Sequence, residues 1–469
     1  MKKHPVIFLL CTIVYGLWSI AASAQTIHRC ATQEIYEQNV RKHPGYDKAV
    51  EHAFNYAKGY ASNAANKTGN WDTIYRIPVV VHVVYNTPEQ NLDDSLICSQ
   101  IEVLNQDYRR LNADTGNTRD VFKSVAADAG IEFFLATTDP EGNPTTGVTR
   151  TYTDTPYFSV IGDIFSGSME NGADKVKKTA TGGIDAWDTD KYLNIWTCNM
   201  KDPNSLFGLV LGFSYPPDGA PNWPAEAFPA DSTLQGVVIH YEVFGRKNPA
   251  AAGPLEIADA GRTVVHEVGH FLGLRHIWGD GLLSILFADC SADDGIDDTP
   301  NSGNNSQATG CDSTKNTCDE GNPDLPDMWE NYMDYSREEC QNIFTQGQAA
   351  IMRAMLATSR SGLPVFEMPA ASTLCAKPAS AREISDSQNL FSVYPNPAQG
   401  VFTVQVASAA KNPSWLVVSD VFGKEVKRLN AIASGSGSFT VPAGSLPKGV
   451  YFLRLESKES SFVRKIVVE

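Results

Sequence analysis

Apolar residues run almost unbroken through Arg76-Ile-Pro-Val-Val-Val-His-Val-Val-Tyr85, the pattern of a strand buried on both faces. Ile101, Leu104, Tyr108 and Leu111 then recur at helical spacing, and Ile131 to Ala136, Tyr192 to Thr197 and Val237 to Val243 read as further strands. One helix among several strands predicts an α/β (α+β) domain with a mixed twisted sheet. From 361 to 388 the pattern dissolves into Pro, Ala and Ser, which marks a linker. Beyond it, short apolar runs at Phe391 to Tyr394, Val401 to Val406, Trp415 to Val421, Ser438 to Val441, Val450 to Leu455 and Phe462 to Val468 alternate with turn residues. That rhythm predicts a small all-β Ig-like sandwich over 389–469. Residues 25–70 are polar and poor in large apolar side chains, as in a leader or pro-segment, or a flexible linker, ahead of the domain at 71–360.

The amino terminus differs from all of this. Lys2 and Lys3 precede an apolar run from Val6 to Ile20, and Ala22-Ser23-Ala24 closes it, the three-part layout of a secretory signal over 1–24. No later stretch is long and apolar enough to cross a bilayer. Export changes how the nine cysteines are read: Cys11 leaves with the signal, and eight remain in an oxidising compartment where disulfides are the default. The formal charge of −16, without a basic patch, argues against nucleic acid as a partner and leaves divalent cations open.

The densest chemical signal is His266-Glu267-Val268-Gly269-His270-Phe271-Leu272-Gly273-Leu274-Arg275-His276. Two histidines four apart on a helix, expected to begin near Ala258, project from one face and can share one zinc ion. Gly273 can turn the chain so that His276 returns as a third ligand. Three protein ligands leave one position open, as catalytic zinc requires. Glu267 is then placed to take the proton of a zinc-bound water attacking a carbonyl. Downstream, Asn331-Tyr332-Met333-Asp334-Tyr335 offers a Met-turn: Met333 as a soft floor under the histidines, Tyr335 as a donor to the oxyanion. Cys30, in the expected pro-segment, has a thiolate suited to the open zinc position, or else pairs with Cys98, Cys198 or Cys375. Gly208 to Tyr215, ahead of Pro216-Pro217, is the candidate edge strand for an extended substrate.

Residues 77 to 355 resemble the pappalysin-like metzincin metallopeptidases, most closely in GRTVVHEVGHFLGLRHIWGD, DDGIDDTP and NYMDYSREECQNIFTQGQ. The resemblance implies a zincin-like endopeptidase with zinc on His266, His270 and His276, Glu267 as general base and Met333 in the Met-turn. It implies disulfides Cys290–Cys318 and Cys311–Cys340, where spacing alone allows three pairings. It also implies a calcium ion on Asp294, the backbone of Asp297, and Thr299, and a zymogen held by a cysteine switch. The segment Tyr394-Pro395-Asn396-Pro397, Gly400, the run Leu446 to Leu455 and Lys465 resemble a type IX secretion system C-terminal sorting domain. That implies passage through the periplasm and outer membrane of a Bacteroidetes-type bacterium, with release or surface attachment.

Two functions follow from these readings. One is a secreted zinc endopeptidase, expected to be a monomer, acting on extracellular proteins and peptides. The other is a surface adhesion protein on a metzincin scaffold without turnover, which an intact Glu267 disfavours.

Overall fold

The computed structural model describes residues 27–62, 73–159, 172–202, 208–217, 232–279, 288–321, 323–366, 374–375, 391–406, 415–420, 424–430, 438–444, 446–456 and 461–469. The expected signal at 1–24 and most of the expected linker lie outside them. The chain divides into two compact units, Met1–Cys375 and Ala376–Glu469.

In the first unit the central strand is β2 (Tyr75–Tyr85), buried along almost its whole length, as its valine-rich sequence requires. Strand β1 (Ile27–His28) precedes it in the chain and lies elsewhere. Parallel partners of β2 are β3 (Ile131–Leu135), β4 (Val148–Tyr152) and β5 (Leu193–Cys198), and β5 pairs in parallel with β8 (Val237–His240). Strand β7 (Gly212–Ser214) closes this sheet, antiparallel to β8 at the edge, while β6 (Leu209–Val210), just before it in the chain, pairs in parallel with β1 in a separate two-stranded sheet. The sheet is therefore mixed, and its single antiparallel strand faces the cleft.

Five helices accompany these strands among the described residues: α1 (Thr32–Lys42), α2 (Tyr46–Ser62), α3 (Asp94–Tyr108), α4 (Arg262–Phe271) and α5 (Gln346–Ala357). Ile97, Ile101, Leu104 and Tyr108 form the buried stripe of α3. Leu111, expected on that stripe, lies beyond the helix and is exposed, because the chain departs at Arg110 with φ 49°. The helix expected from Ala258 begins instead at Arg262. Ala258 ends a 3₁₀ turn, and Gly261 at φ 79° separates the two segments. The polar stretch after the expected signal is not featureless: α1 and α2 pack Ile35, Tyr46, Ala49, Ala53 and Phe54 into the core.

The second unit is all-β. Strands β9 (Phe391–Gln399), β10 (Val401–Val406) and β13 (Ser438–Pro442) form one antiparallel group. Strands β11 (Trp415–Ser419), β12 (Glu425–Asn430), β14 (Gly449–Glu456) and β15 (Ser461–Val468) form the other, and Val468 meets Ala398 where the groups join. Phe402, Val404, Leu416, Val418, Leu453 and Ile466 fill the core between them. Strand β12 had no apolar run to announce it, since Glu425, Lys427 and Arg428 make it read as a turn.

Candidate metal centre

Helix α4 is held before it is used. Glu338, buried after the Met-turn, accepts hydrogen bonds from Ala260 N–H at 2.8 Å and from the backbone N–H and hydroxyl of Thr263. It thus satisfies amide donors that a helix start leaves orphaned. Arg262 donates to Asp107 on α3 and to Asp114, which fixes the rotation of the helix. Both contacts span about half the catalytic unit in sequence, so no local pattern reveals them.

His266 and His270 project from one face of α4. The helix ends at Phe271 with Leu272 as its C-cap, and Gly273 turns the chain at φ 90°. A Cβ on Gly273 would also lie 2.6 Å from Met355 Cε of α5, so both conformation and space demand glycine. The turn returns His276 to the other two. Their Nε2 atoms lie 3.1 Å (His266 to His270), 3.2 Å (His266 to His276) and 3.0 Å (His270 to His276) apart. Nδ1 of His266 faces the Tyr332 carbonyl oxygen at 2.7 Å, and Nδ1 of His270 faces that of Leu274 at 2.8 Å. A carbonyl accepts only, so each Nδ1 carries the proton and each of these two Nε2 atoms presents a lone pair. Lone pairs converging at 3 Å repel unless a cation sits among them, and the donor set fits zinc. Burial and the neighbouring His270 and His276 hold His266 well below its ordinary pKa, as a neutral ligand needs.

The floor is Met333, fully buried in the Met-turn. A Cβ on Gly269 would lie 2.5 Å from Met333 Sδ, so the glycine inside the histidine motif admits the thioether. Asn331 Oδ1 accepts from Met333 N–H at 2.9 Å, and the Asn331 and Gln348 amides bond reciprocally. Gln348 also closes the capping box of α5 with Thr345. The T-x-x-Q pattern at 345–348 was a readable signal for that helix. Tyr335, two residues past Met333, packs its ring against His276 at 5.0 Å between centroids.

Glu267 is fully buried beside the cluster. Its Oε2 accepts from Thr32 Oγ1 at 3.0 Å and from Cys30 Sγ at 3.5 Å, while Oε1 has no hydrogen-bond partner among the described residues. Burial pushes this carboxyl up to about 8, against the two hydrogen bonds that lower it. Gly212 on β7 lets the edge strand touch it: a Cβ there would stand 2.8 Å from Glu267 Cγ. Neither Thr32 nor Gly212 was identifiable from local sequence, since each meets Glu267 only through the fold.

The N-terminal segment lies across this cleft. β1 pairs in parallel with β6, Ala31 N–H donates to Gly212 O at 2.9 Å, and Ser214 N–H donates to Thr32 Oγ1 at 2.9 Å. Cys30 is unpaired with any other cysteine and buried. Its Sγ and the three histidine nitrogens all lie within 4.8 Å of one another. Tyr335 Oη donates to Cys30 O at 3.2 Å. Burial and the Glu267 carboxylate push the Cys30 thiol well up, so a thiolate there needs a cation at the histidines.

Cys290 is bonded to Cys318 and Cys311 to Cys340, and a third disulfide joins Cys98 to Cys375. Cys198 is a buried free thiol on β5. In the acidic loop Asp294 is buried and accepts from Ile296 N–H. Thr299 Oγ1 lies within 2.9 Å of both Asp294 carboxylate oxygens and of Ile296 O, so one hydroxyl proton faces three acceptors. The Asp297 side chain is exposed and faces Lys58 of α2. No described helix is long and apolar enough to cross a membrane.

Comparison with known proteins follows the same division. Residues 177–357 match the family described as pregnancy-associated plasma protein-A, and residues 392–469 match the secretion system C-terminal sorting domain. An extracellular metalloprotease of Pyricularia oryzae is 27% identical over 361 residues, 75% of this chain and 97% of its own. One from Arthroderma benhamiae is 28% identical over 65% of this chain and 84% of its own. Among solved structures, a promirolysin mutant from Tannerella forsythia is 38% identical with a TM-score of 0.56, covering 71% of this chain and 96% of its own. Mature mirolysin from Tannerella forsythia in complex with a cleaved peptide is 42% identical with a TM-score of 0.52, covering 64% of this chain and 100% of its own. The chain belongs to the pregnancy-associated plasma protein-A, or pappalysin, family of metzincin metallopeptidases, and is a secreted or surface-attached zinc endopeptidase with a C-terminal sorting domain.

Proposed function

We propose that His266, His270 and His276 hold the catalytic zinc, that Glu267 is the general base, and that the enzyme is made latent by residues 25–70. The observation that carries this is the single buried cluster in which three imidazole Nε2 atoms, the Cys30 thiol and the Glu267 carboxylate meet. Zinc, when bound, supplies a Lewis acid for water and for the scissile carbonyl. The chain supplies the rest. β7 offers backbone groups to an extended peptide. Glu267 accepts a proton from the attacking water and passes it to the leaving amine. Tyr335 Oη, released from Cys30 O, donates to the developing oxyanion. Met333 supports the imidazoles from below.

In the latent state Cys30 occupies the position that water needs, and Thr32 occupies the oxygen of Glu267 that would take the proton. Removing the segment frees both at once. Residues 71–360 form the catalytic domain, 361–388 a linker and 389–469 the sorting domain, used by the type IX machinery after passage through the periplasm. Calcium on Asp294, the Asp297 backbone and Thr299 steadies the acidic loop, where the donors are all oxygen and one is a buried carboxylate.

The test is Glu267→Ala in protein freed of residues 25–70, with zinc content measured alongside casein or gelatin cleavage. Loss of cleavage by a factor of a thousand or so with zinc retained is expected. Unchanged cleavage would end the assignment.

A further inference from the structure

Arg275 stands in the turn between Gly273 and His276 and takes no part in the chemistry above. Its guanidinium donates to Glu51 of α2, and the ring of Phe54, one helical turn on, lies 4.1 Å from its Cζ. Beside this pair is a cavity of about 220 Å³ lined by Thr32, Gln33, Glu51, Pro216, His270 and Arg275. The cavity therefore joins the zinc cluster, through His270, to the end of the edge strand, through Pro216. Every group that fills or roofs it from the N-terminal side belongs to residues 32–51.

We propose that Arg275 is a specificity-determining residue that receives an acidic side chain of the substrate, and that Glu51 holds its place in the latent protein. The inference rests on the reading that the N-terminal segment is removed. Once it leaves, the guanidinium loses both its carboxylate partner and its aromatic cover and faces the cleft. An arginine fork pairs with a carboxylate in a defined geometry, which makes it a selective element and not only a positive charge. The N-terminal segment runs parallel to β6, with Cys30 at the cluster and Thr32 and Gln33 at the cavity. A substrate added to the edge in the more stable antiparallel sense reverses this order. Residues on the N-terminal side of the scissile bond then lie toward Pro216 and Arg275.

The experiment uses the activated full catalytic protein and internally quenched peptides carrying Asp, Glu, Ala or Lys at each of three positions before the cut. At one of them Asp or Glu should raise kcat/KM by about three- to tenfold over Ala, with Lys below Ala. Within Arg275→Gln the acid-to-Ala ratio should fall to about one, and within Arg275→Glu the order should invert in favour of Lys. Arg275→Lys should retain a smaller acid preference, which keeps the test readable if the other variants fold poorly. In the precursor, Glu51→Gln should shorten the time to spontaneous activation. Equal kcat/KM for acidic, neutral and basic peptides at all three positions in the wild-type enzyme overturns the proposal, and then Glu51 is a latch alone. Failure to cut any peptide, the all-Ala series included, instead overturns the peptidase assignment of the site.

Discussion

Gly212→Ala asks whether the edge strand sets the position of the general base. A Cβ at 212 would stand 2.8 Å from Glu267 Cγ, 2.9 Å from its Oε1 and 3.1 Å from Ile239 Cδ1. Carbon atoms rest at about 3.5–4.0 Å, so the Glu267 side chain must retreat by roughly 1 Å. Overpacking of this kind costs roughly 1–3 kcal/mol, which in a unit of this size lowers Tm by several degrees without unfolding it. The catalytic effect is larger, because a misplacement of about 1 Å costs on the order of a hundredfold in rate. We expect kcat/KM on a quenched peptide to fall about 30- to 100-fold in activated protein, with zinc content unchanged. Gly116→Ala is the control: nothing lies within 4 Å of its built Cβ, and it should behave as wild type. If Gly212→Ala keeps kcat/KM within twofold of wild type at full zinc occupancy, the edge strand does not position Glu267 and the argument is wrong.

Four further outcomes are expected. Gly269→Ala should lower Tm, since crowding Met333 Sδ outweighs the roughly 1 kcal/mol that alanine adds to a helix; a raised Tm would show that the Met-turn is not in contact. A Cys30→Ala precursor should cleave peptide before any proteolytic processing, and a fully latent one removes the switch. Asp294→Asn, or a calcium-selective chelator with zinc restored, should lower Tm measurably by scanning calorimetry; no change in either counts against the calcium site. Cys311→Ser should cost about 2–4 kcal/mol in denaturant unfolding of the activated protein, given the 29-residue separation of Cys311 and Cys340.

The parts of this site that were legible beforehand are those whose geometry is local. His266 and His270 are one helical turn apart, and Gly273 turns the chain within three residues of His276, so spacing alone brings the three together. Valine density marked β2 for the same reason. What was not legible depends on approach between distant segments. Thr32 and Gly212 reach Glu267 from two separate segments of the fold, and Glu338 caps a helix 75 residues earlier. The start of α4 was misread because nothing before the fold says that Gly261 adopts a positive φ. Strand β12 escaped because its exposed face is charged, which hides a period of two behind a turn-like composition.

The bond between Cys98 and Cys375 joins residues 277 positions apart, and the ring it closes holds all three zinc-binding histidines, the Met-turn and both other disulfides. The expected pro-segment, 25–70, and the expected sorting domain, 389–469, both fall outside that ring. A proteinase working among its own kind is exposed to nicking in surface loops. Any single cut inside the ring leaves two fragments that still travel as one covalent body, with the metal-binding half unable to drift from the sheet that supports it. Such a molecule would show one band without reductant and two with it, and its activity would outlast the integrity of its backbone.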